Sequence, residues 1–282
     1  MKLVRFGLAG KERPGLVDDE GRVRDLSAHV DDIASEVLTR DGLEGLRQID
    51  ASSLPLMDAD ARLGAPVGGV GKLVGVGLNF SDHAAESGMP IPSEPILFMK
   101  ATSAICGPND NVILPPNTQM VDWEVELGVV IGDRAKNVDQ SAALDHVAGY
   151  TIINDVSERA WQMARSGQWM KGKCADTFAP IGPWLVTADQ VPDPQALKMR
   201  LDLNGKRMQD GSSATMIFSV AELISYISEF MTLEPGDILT TGTPPGVGLG
   251  QNPPFYLRDG DVMELSIEGL GQQRQTAVDA GK

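Results

Sequence analysis

Ten residues near the middle of the chain, Asp122-Trp123-Glu124-Val125-Glu126-Leu127-Gly128-Val129-Val130-Ile131, pass from acid/apolar alternation to an unbroken apolar run. The alternation has strand period, and successive strand side chains point to opposite faces. Glu124 and Glu126 therefore project from one side, about 7 Å apart at the backbone, with Asp122 behind them. Two placements satisfy the pattern. The acidic face of a half-exposed strand would meet water, whereas the apolar continuation through Ile131 directs the strand into a core. In an enclosed setting, repulsion and desolvation raise carboxylate pKa values unless a cation sits between them. Asp155 ends a second apolar run, Tyr150-Thr-Ile-Ile-Asn154-Asp155, and offers a third oxygen. Taken alone it reads more readily as a turn residue or N-cap ahead of a helix near Ser157. Three carboxylates with waters or substrate oxygens suit the octahedral demand of Mg²⁺.

Composition narrows the partners. The 282 residues carry 24 Lys+Arg against 39 Asp+Glu, a formal charge of −15. Such a balance argues against nucleic acid or an anionic membrane, both of which need a basic face. Cys106 and Cys174 form no C-x-x-C pair, and His29, His83 and His146 stand in unrelated contexts. Neither a disulfide framework nor a zinc cluster is expected. Any metal would be held mainly by oxygen, Mg²⁺ first, with Mn²⁺ or Ca²⁺ as alternatives. No apolar stretch approaches the ~20 residues of a membrane span, and the start has no signal-type run, so a cytoplasmic location is expected.

A boundary is expected in the Gly/Pro-rich stretch Gly64-Ala-Pro-Val-Gly-Gly-Val-Gly71. It divides a small N-terminal α+β domain, residues 1–68, from a larger second domain, residues 69–282. The first part reads as a strand over residues 3–8, short strands about an acidic turn at 18–21, and a helix over 31–48. Beyond it, apolar runs at 72–78, 95–99, 111–114, 123–131, 149–153 and 183–186 read as strands. Asn204-Gly205 marks a hairpin and Asp259-Gly260 a turn into a strand over 262–267. Helices are predicted over 139–146, 157–168 and 220–231, the last opened by Ser219 and Glu222 in capping-box spacing. The sum is a β-rich α+β domain, with strands layered or rolled into a sandwich and helices on its flanks.

The glycine-rich segments Gly69-Val-Gly71, Gly75-Val-Gly77 and Gly246-Val-Gly248-Leu-Gly250 complete no nucleotide-binding fingerprint, and a G-x-S-x-G elbow is absent. A helical turn after Phe80 would place His83 and Glu86 on one face at i, i+3. A carboxylate beside an imidazole fixes its tautomer and raises its basicity, as a general base for water requires, although an exposed helix pair has the same spacing. Gly88-Met-Pro-Ile-Pro after it reads as a loop able to move. Lys173, between a helix and a strand, either solvates a surface or pairs with a substrate carboxylate or developing enolate. Arg159 and Gln162 fall on one face of the helix predicted there.

Together these segments are far more specific: Gly-Leu-Asn-Phe-x-x-His83-x-x-Glu86, Asp-Trp-Glu124-x-Glu126-Leu-Gly, Asn-Asp155-x-x-x-Arg159-x-x-Gln162, Lys-Gly-Lys173 and Thr241-Gly-Thr243-Pro-Pro-Gly-Val-Gly. In this order and spacing, over roughly residues 70 to 270, the chain resembles the fumarylacetoacetate hydrolase family. The resemblance implies a mixed β-sandwich roll, a homodimer, and a Mg²⁺ or other divalent ion on Glu124, Glu126 and Asp155. It also implies that His83 with Glu86 activates water, that Lys173 stabilises a leaving enolate, and that Arg159, Gln162 and Thr243 contact substrate. Where some members carry a further metal-ligating Asp, seven residues before the histidine, this chain has Val76; where a Tyr is common it has Phe80. The implied reaction is metal-assisted hydrolysis of the C3–C4 bond of an anionic 2,4-diketo acid. The stretch from Pro92 to Ser103 and the ending Gly-Val-Gly-Leu-Gly-Gln-Asn-Pro-Pro resemble the branch acting on sugar acids such as 2,4-diketo-3-deoxy-L-rhamnonate or fuconate, giving pyruvate and lactate. Ureidoglycolate lysis, and isomerisation or decarboxylation of a hydroxymuconate-type dienoate, are alternatives at the same site. An ion-binding structural or carbohydrate-binding protein is the alternative without turnover.

Overall fold

The computed structural model describes residues 1–281. Its strands form two large sheets. The first is an eleven-stranded mixed sheet whose path runs Val23–Asp25, Arg13–Val17, Lys2–Phe6, Ala179–Thr187, Val147–Asn154, Val125–Ile131, Ile238–Thr240, Leu73–Gly77, Ile96–Lys100. The second has five strands, in the order Lys206–Ser212, Lys198–Leu203, Val262–Ile267, Gly271–Asp279, Val112–Leu114. It packs on the middle of the first, against Val125–Ile131, Val147–Asn154 and Ala179–Thr187. Those three strands are apolar nearly throughout because both faces are covered. The fold is the expected β-rich α+β sandwich.

The two sheets are tied by buried amides as well as by packing. Gln273 Nε2 donates to the carbonyls of Ile152 (3.0 Å) and Gly182 (3.1 Å), and Asn154 Nδ2 donates to Gln275 Oε1 (3.1 Å). The first 68 residues are not set apart from this frame. Lys2–Phe6 pairs antiparallel with Ala179–Thr187, and Leu3, Leu16, Leu26 and Ile33 belong to the same core cluster as Leu127 and Ile152. The expected N-terminal and catalytic parts thus share one sheet.

The predicted hairpins form as read, at Asn204-Gly205 between Lys198–Leu203 and Lys206–Ser212, and at residues 18–21 between Arg13–Val17 and Val23–Asp25. Three helices differ from the pattern. In place of one helix over 31–48 there is a 3₁₀ turn, Ser35–Leu38, then Arg40–Arg47, because the Thr39 side chain accepts from Gly42 N–H and restarts the helix. The segment Gln140–His146 is 3₁₀ throughout. The run over 157–168 begins as a strand, Ser157–Glu158, and its helix is only Arg159–Ala164. Ser166 and Gly167 take left-handed φ values of 65° and 63°, which ends it. A further helix, Met170–Lys173, follows.

The helix Val220–Phe230 carries the full capping box, with Ser219 accepting from Glu222 N–H and Glu222 accepting from Ser219 N–H. Its Leu223, Ile224 and Ile227 are buried. Ser219→Ala should lower unfolding free energy by about 1 kcal/mol in urea titration with an unchanged m-value; no loss would mean that packing alone fixes this helix start.

Candidate active site

The acidic strand does not run straight. Val121–Asp122 pairs with Ser157–Glu158, and the ladder then breaks at Trp123 and Glu124 before resuming as Val125–Ile131. Side-chain amides complete the hydrogen bonding at the break: Glu124 N–H donates to Asn154 Oδ1 (3.1 Å) and Val125 N–H to Gln209 Oε1 (2.9 Å). Trp123, fully buried, anchors it from the other side through Nε1 to Gly246 carbonyl (3.2 Å). The break is the reason Asp122 does not join the line of three acids expected from simple alternation. Asp122 instead accepts from Gly248 N–H (2.6 Å), Leu249 N–H (3.0 Å) and Arg159 Nε (2.8 Å).

Glu124, Glu126 and Asp155 do converge. Each offers a carboxylate oxygen, all within 4.8 Å of one another, and all three residues are buried. Asp155 stands where Val147–Asn154 ends, with its N–H on the Glu124 carbonyl (2.9 Å), so backbone pairing brings the two segments together. It is not a helix cap; Glu158 fills that role by accepting from Trp161 N–H (2.6 Å). Glu126 accepts from Thr240 Oγ1 and from Gly242 N–H (2.8 Å). Gly242 has φ +92°, and an added Cβ would lie 2.9 Å from Asn79 Cβ, so glycine is required for that N–H to reach Glu126.

Cations close the cluster. Lys173 Nζ bridges Glu124 Oε2 (2.7 Å) and Asp155 Oδ2 (2.5 Å), and Arg159 bonds Glu124 Oε1 (2.7 Å) as well as Asp122. Burial pushes the Glu124 carboxyl up, but Lys173 and then Arg159 more than offset this and hold it at about 2. Glu126 goes the other way: burial, then the charges of Asp155 and Glu124, raise it well above the usual carboxylate range. Lys173 is held charged above its ordinary value against its own burial, by Asp155 and Glu124. A buried carboxylate whose ionisation its neighbours oppose is what a divalent cation relieves, and three clustered oxygens fit Mg²⁺, Mn²⁺ or Ca²⁺.

The cluster opens into a cavity of about 400 Å³ that is also lined by His83, Glu86, Gln162 and Thr243. His83 and Glu86 lie on the helix Ser81–Ser87, with Nδ1 of His83 3.1 Å from Glu86 Oε2. Glu86 is itself fixed by Gly246 N–H, which lies 3.1 and 3.2 Å from its two oxygens. The glycine-rich loop after Thr240 therefore cradles carboxylates: its N–H groups serve Glu126, Glu86 and Asp122 in turn. Gln162 Oε1 accepts from Arg159 Nη1 (3.1 Å). The Thr243 hydroxyl donates to Val125 carbonyl (3.0 Å) and accepts from Gln209 Nε2 (2.8 Å), which leaves one lone pair for a ligand.

Sequence reasoning missed Lys100. Its ammonium is fully buried and bonds Asp155 Oδ1 (2.6 Å) and the Val156 carbonyl (3.2 Å), so the two oxygens of Asp155 each meet a lysine. Strand parity held the signal: Phe98 and Lys100 share a face of Ile96–Lys100, and Phe98 lines the cavity. The apolar wall was missed too. Trp169 packs on Gly77, where a Cβ would come within 2.2 Å of its ring.

On this two-sheet frame, an anionic cluster opening into a cavity beside a His/Glu pair is the layout of an enzyme cleft. The family model described as fumarylacetoacetate (FAA) hydrolase C-terminal matches residues 72–278, and the chain belongs to the fumarylacetoacetate hydrolase family. A protein of Burkholderia cenocepacia strain HI2424, whose name gives only "hydrolase" with no substrate, is 58% identical over 281 residues, 99% of this chain and 100% of the relative. Among solved structures, 2-hydroxyhepta-2,4-diene-1,7-dioate isomerase from Mycobacterium marinum superposes with a TM-score of 0.78 at 34% identity, covering 100% of both chains. Maleylpyruvate hydrolase from Sphingobium sp. SYK-6, in complex with manganese(II) and pyruvate, gives a TM-score of 0.83 at 29% identity, covering 99% of each. Family members thus include hydrolases and isomerases, one of them solved with a divalent ion.

Two substitutions separate the roles of the acids. Asp155→Ala leaves Lys100 and Lys173 buried without their shared partner and should cost about 3 to 5 kcal/mol in the metal-free protein. Glu126→Gln replaces a carboxyl already biased toward its neutral form, so metal-free stability should change by less than about 1 kcal/mol while the thermal upshift on adding Mg²⁺ or Mn²⁺ disappears. Differential scanning calorimetry with and without ion checks both; an undiminished upshift in Glu126→Gln would remove Glu126 from the metal site.

Proposed function

We propose that the chain hydrolyses the C3–C4 bond of an anionic 2,4-diketo acid, releasing pyruvate and a carboxylic acid. The observation that carries the reading is the joint presence, on one cavity, of the Glu124/Glu126/Asp155 cluster and the His83/Glu86 pair. A divalent ion held by Glu124, Glu126 and Asp155 supplies Lewis-acid polarisation of the substrate's 2-oxo group when bound. The chain's own residues do the rest. With Nδ1 of His83 on Glu86, its Nε2 is free to take a proton from water while the water oxygen bonds to C4. Collapse of the tetrahedral adduct breaks C3–C4, and the bonding pair leaves as the enolate of pyruvate. The Lys173 ammonium, already among the carboxylates, stabilises the enolate oxygen, and the proton held by His83 returns to C3. Arg159 and Gln162, joined to one another, orient the substrate carboxylate from the wall. Within this class, sugar-derived acids such as 2,4-diketo-3-deoxy-L-rhamnonate, giving pyruvate and lactate, are the substrates to which the motifs point. Hydroxymuconate-type isomerisation is the competing reading, supported by the named activity of the M. marinum neighbour. It moves a proton between carbons and consumes no water, so it needs no base set to activate water, and the His83/Glu86 pair modestly favours hydrolysis.

Isotopic water separates the two. Turnover of acylpyruvates and 2,4-diketo-3-deoxy acids in H₂¹⁸O with Mg²⁺ should place one label in the carboxylate of the acid fragment. His83→Ala should lower kcat by about 10² to 10⁴ while leaving Mn²⁺ affinity within about twofold. Conversion of a dienoate without water uptake, or an alanine variant as fast as the parent, would reject hydrolysis by this pair.

A further inference from the structure

The proposed reaction leaves open what the far end of the substrate carries, and the cavity's charge inventory speaks to it. The buried cluster contains the acids Asp122, Glu124, Glu126 and Asp155 and the cations Lys100, Arg159 and Lys173. With Glu126 ionised by the divalent ion it would help to hold, four acids face three bases, and the ion would turn the formal balance to one positive charge. A single substrate carboxylate neutralises it; a second would have to be paired elsewhere in the cavity.

Nothing among the described lining residues is placed to do so. Arg159 and Lys173 are the Arg and Lys side chains on the cavity wall, and both are tied to the acidic cluster, where the proposed reaction spends them on the 2-oxo carboxylate end of the substrate. Glu86 adds a negative charge on the His83 side. The rest of the wall is largely apolar, formed by Leu78, Met89, Phe98, Met163, Trp169 and Leu249. Its firmest part is the aromatic pair Phe98 and Trp169, with ring centroids 5.8 Å apart. Both rings pack against a strand made bare for them: a Cβ on Gly75 would come within 2.2 Å of Phe98, as one on Gly77 would of Trp169. Met89 and Met163, about half exposed, complete the wall with side chains that adapt to shape but offer no charge. A carboxylate set against this wall loses its water without gaining a partner, which is costly.

We infer that the site selects 2-oxo acids with one carboxylate and an uncharged far end, and rejects dicarboxylates of the same length. The inference rests on the proposed function only in seating the 2-oxo carboxylate at the acidic cluster. It sets this chain apart from the M. marinum neighbour, whose name specifies a dioate.

The test compares 2-oxohexanoate with 2-oxoadipate, which match in carbon number and differ in the terminal group, by calorimetric titration of the full chain loaded with Mn²⁺. The dicarboxylate should bind at least about tenfold more weakly. Met163→Arg, which adds a cation to the apolar wall, should narrow that ratio severalfold. Equal or tighter binding of 2-oxoadipate by the parent would overturn the inference, as would failure of both acids to bind. Hydrolysis of butanoylpyruvate against succinylpyruvate then separates the two claims. Equal cleavage of both sinks the selectivity and leaves the reaction standing. Cleavage of neither, with 2-oxohexanoate still preferred in binding, sinks the reaction and leaves the selectivity.

Discussion

Charge pairing out of water is the constraint on which the centre of this molecule depends. Taking an ion from water into a protein interior costs several kcal/mol after relaxation, and only close partners with good geometry return it. Asp155 meets Lys100 on one oxygen and Lys173 on the other, and Glu124 meets Lys173 and Arg159. Among the described residues Glu126 has no such cation bonded to it, only a hydroxyl and an N–H, and its ionisation is opposed by burial and by the charges of Asp155 and Glu124. The network is therefore complete except at Glu126, which lines the cavity with its neighbours. That asymmetry marks where a divalent ion would fit.

The fold supplies this arrangement by interrupting its own regularity. A continuous ladder through Trp123 and Glu124 would have lined up Asp122, Glu124 and Glu126 on one face. The break instead sends Asp122 to Arg159 and to the N–H groups of the glycine-rich loop. Asn154 and Gln209, one from each large sheet or its edge, satisfy the backbone that the break exposes. The same loop holds Glu126 and Glu86, so the acidic cluster and the His83/Glu86 pair are positioned by one short stretch of backbone. Glycines serve here by close approach of N–H groups and aromatic rings, not by flexibility.

Much of this was legible from residue types and spacing. Period-two alternation and turn dipeptides located the strands and the Asn204-Gly205 hairpin, since strand faces and left-handed turn positions are local properties. The convergence of Glu124, Glu126 and Asp155 and the i, i+3 contact of His83 with Glu86 also follow from local geometry joined to the family motifs. What stayed hidden depended on distant partners. Lys100 looks like a strand-end surface lysine until Asp155, 55 residues on, is folded against it. The break after Asp122 depends on amides at positions 154 and 209, and the attachment of Lys2–Phe6 to Ala179–Thr187 pairs residues more than 180 apart. Helix lengths failed where a single capping or left-handed residue, Thr39 or Ser166, ended a periodic pattern early.

Anomalous diffraction from crystals grown with Mn²⁺ would probe the central proposition most directly. The expected result is one strong peak bonded to oxygens of Glu124, Glu126 and Asp155, facing the cavity beside His83. A peak held elsewhere, or none at these carboxylates at saturating ion, would contradict the account, because the cluster would then be a purely structural set of ion pairs.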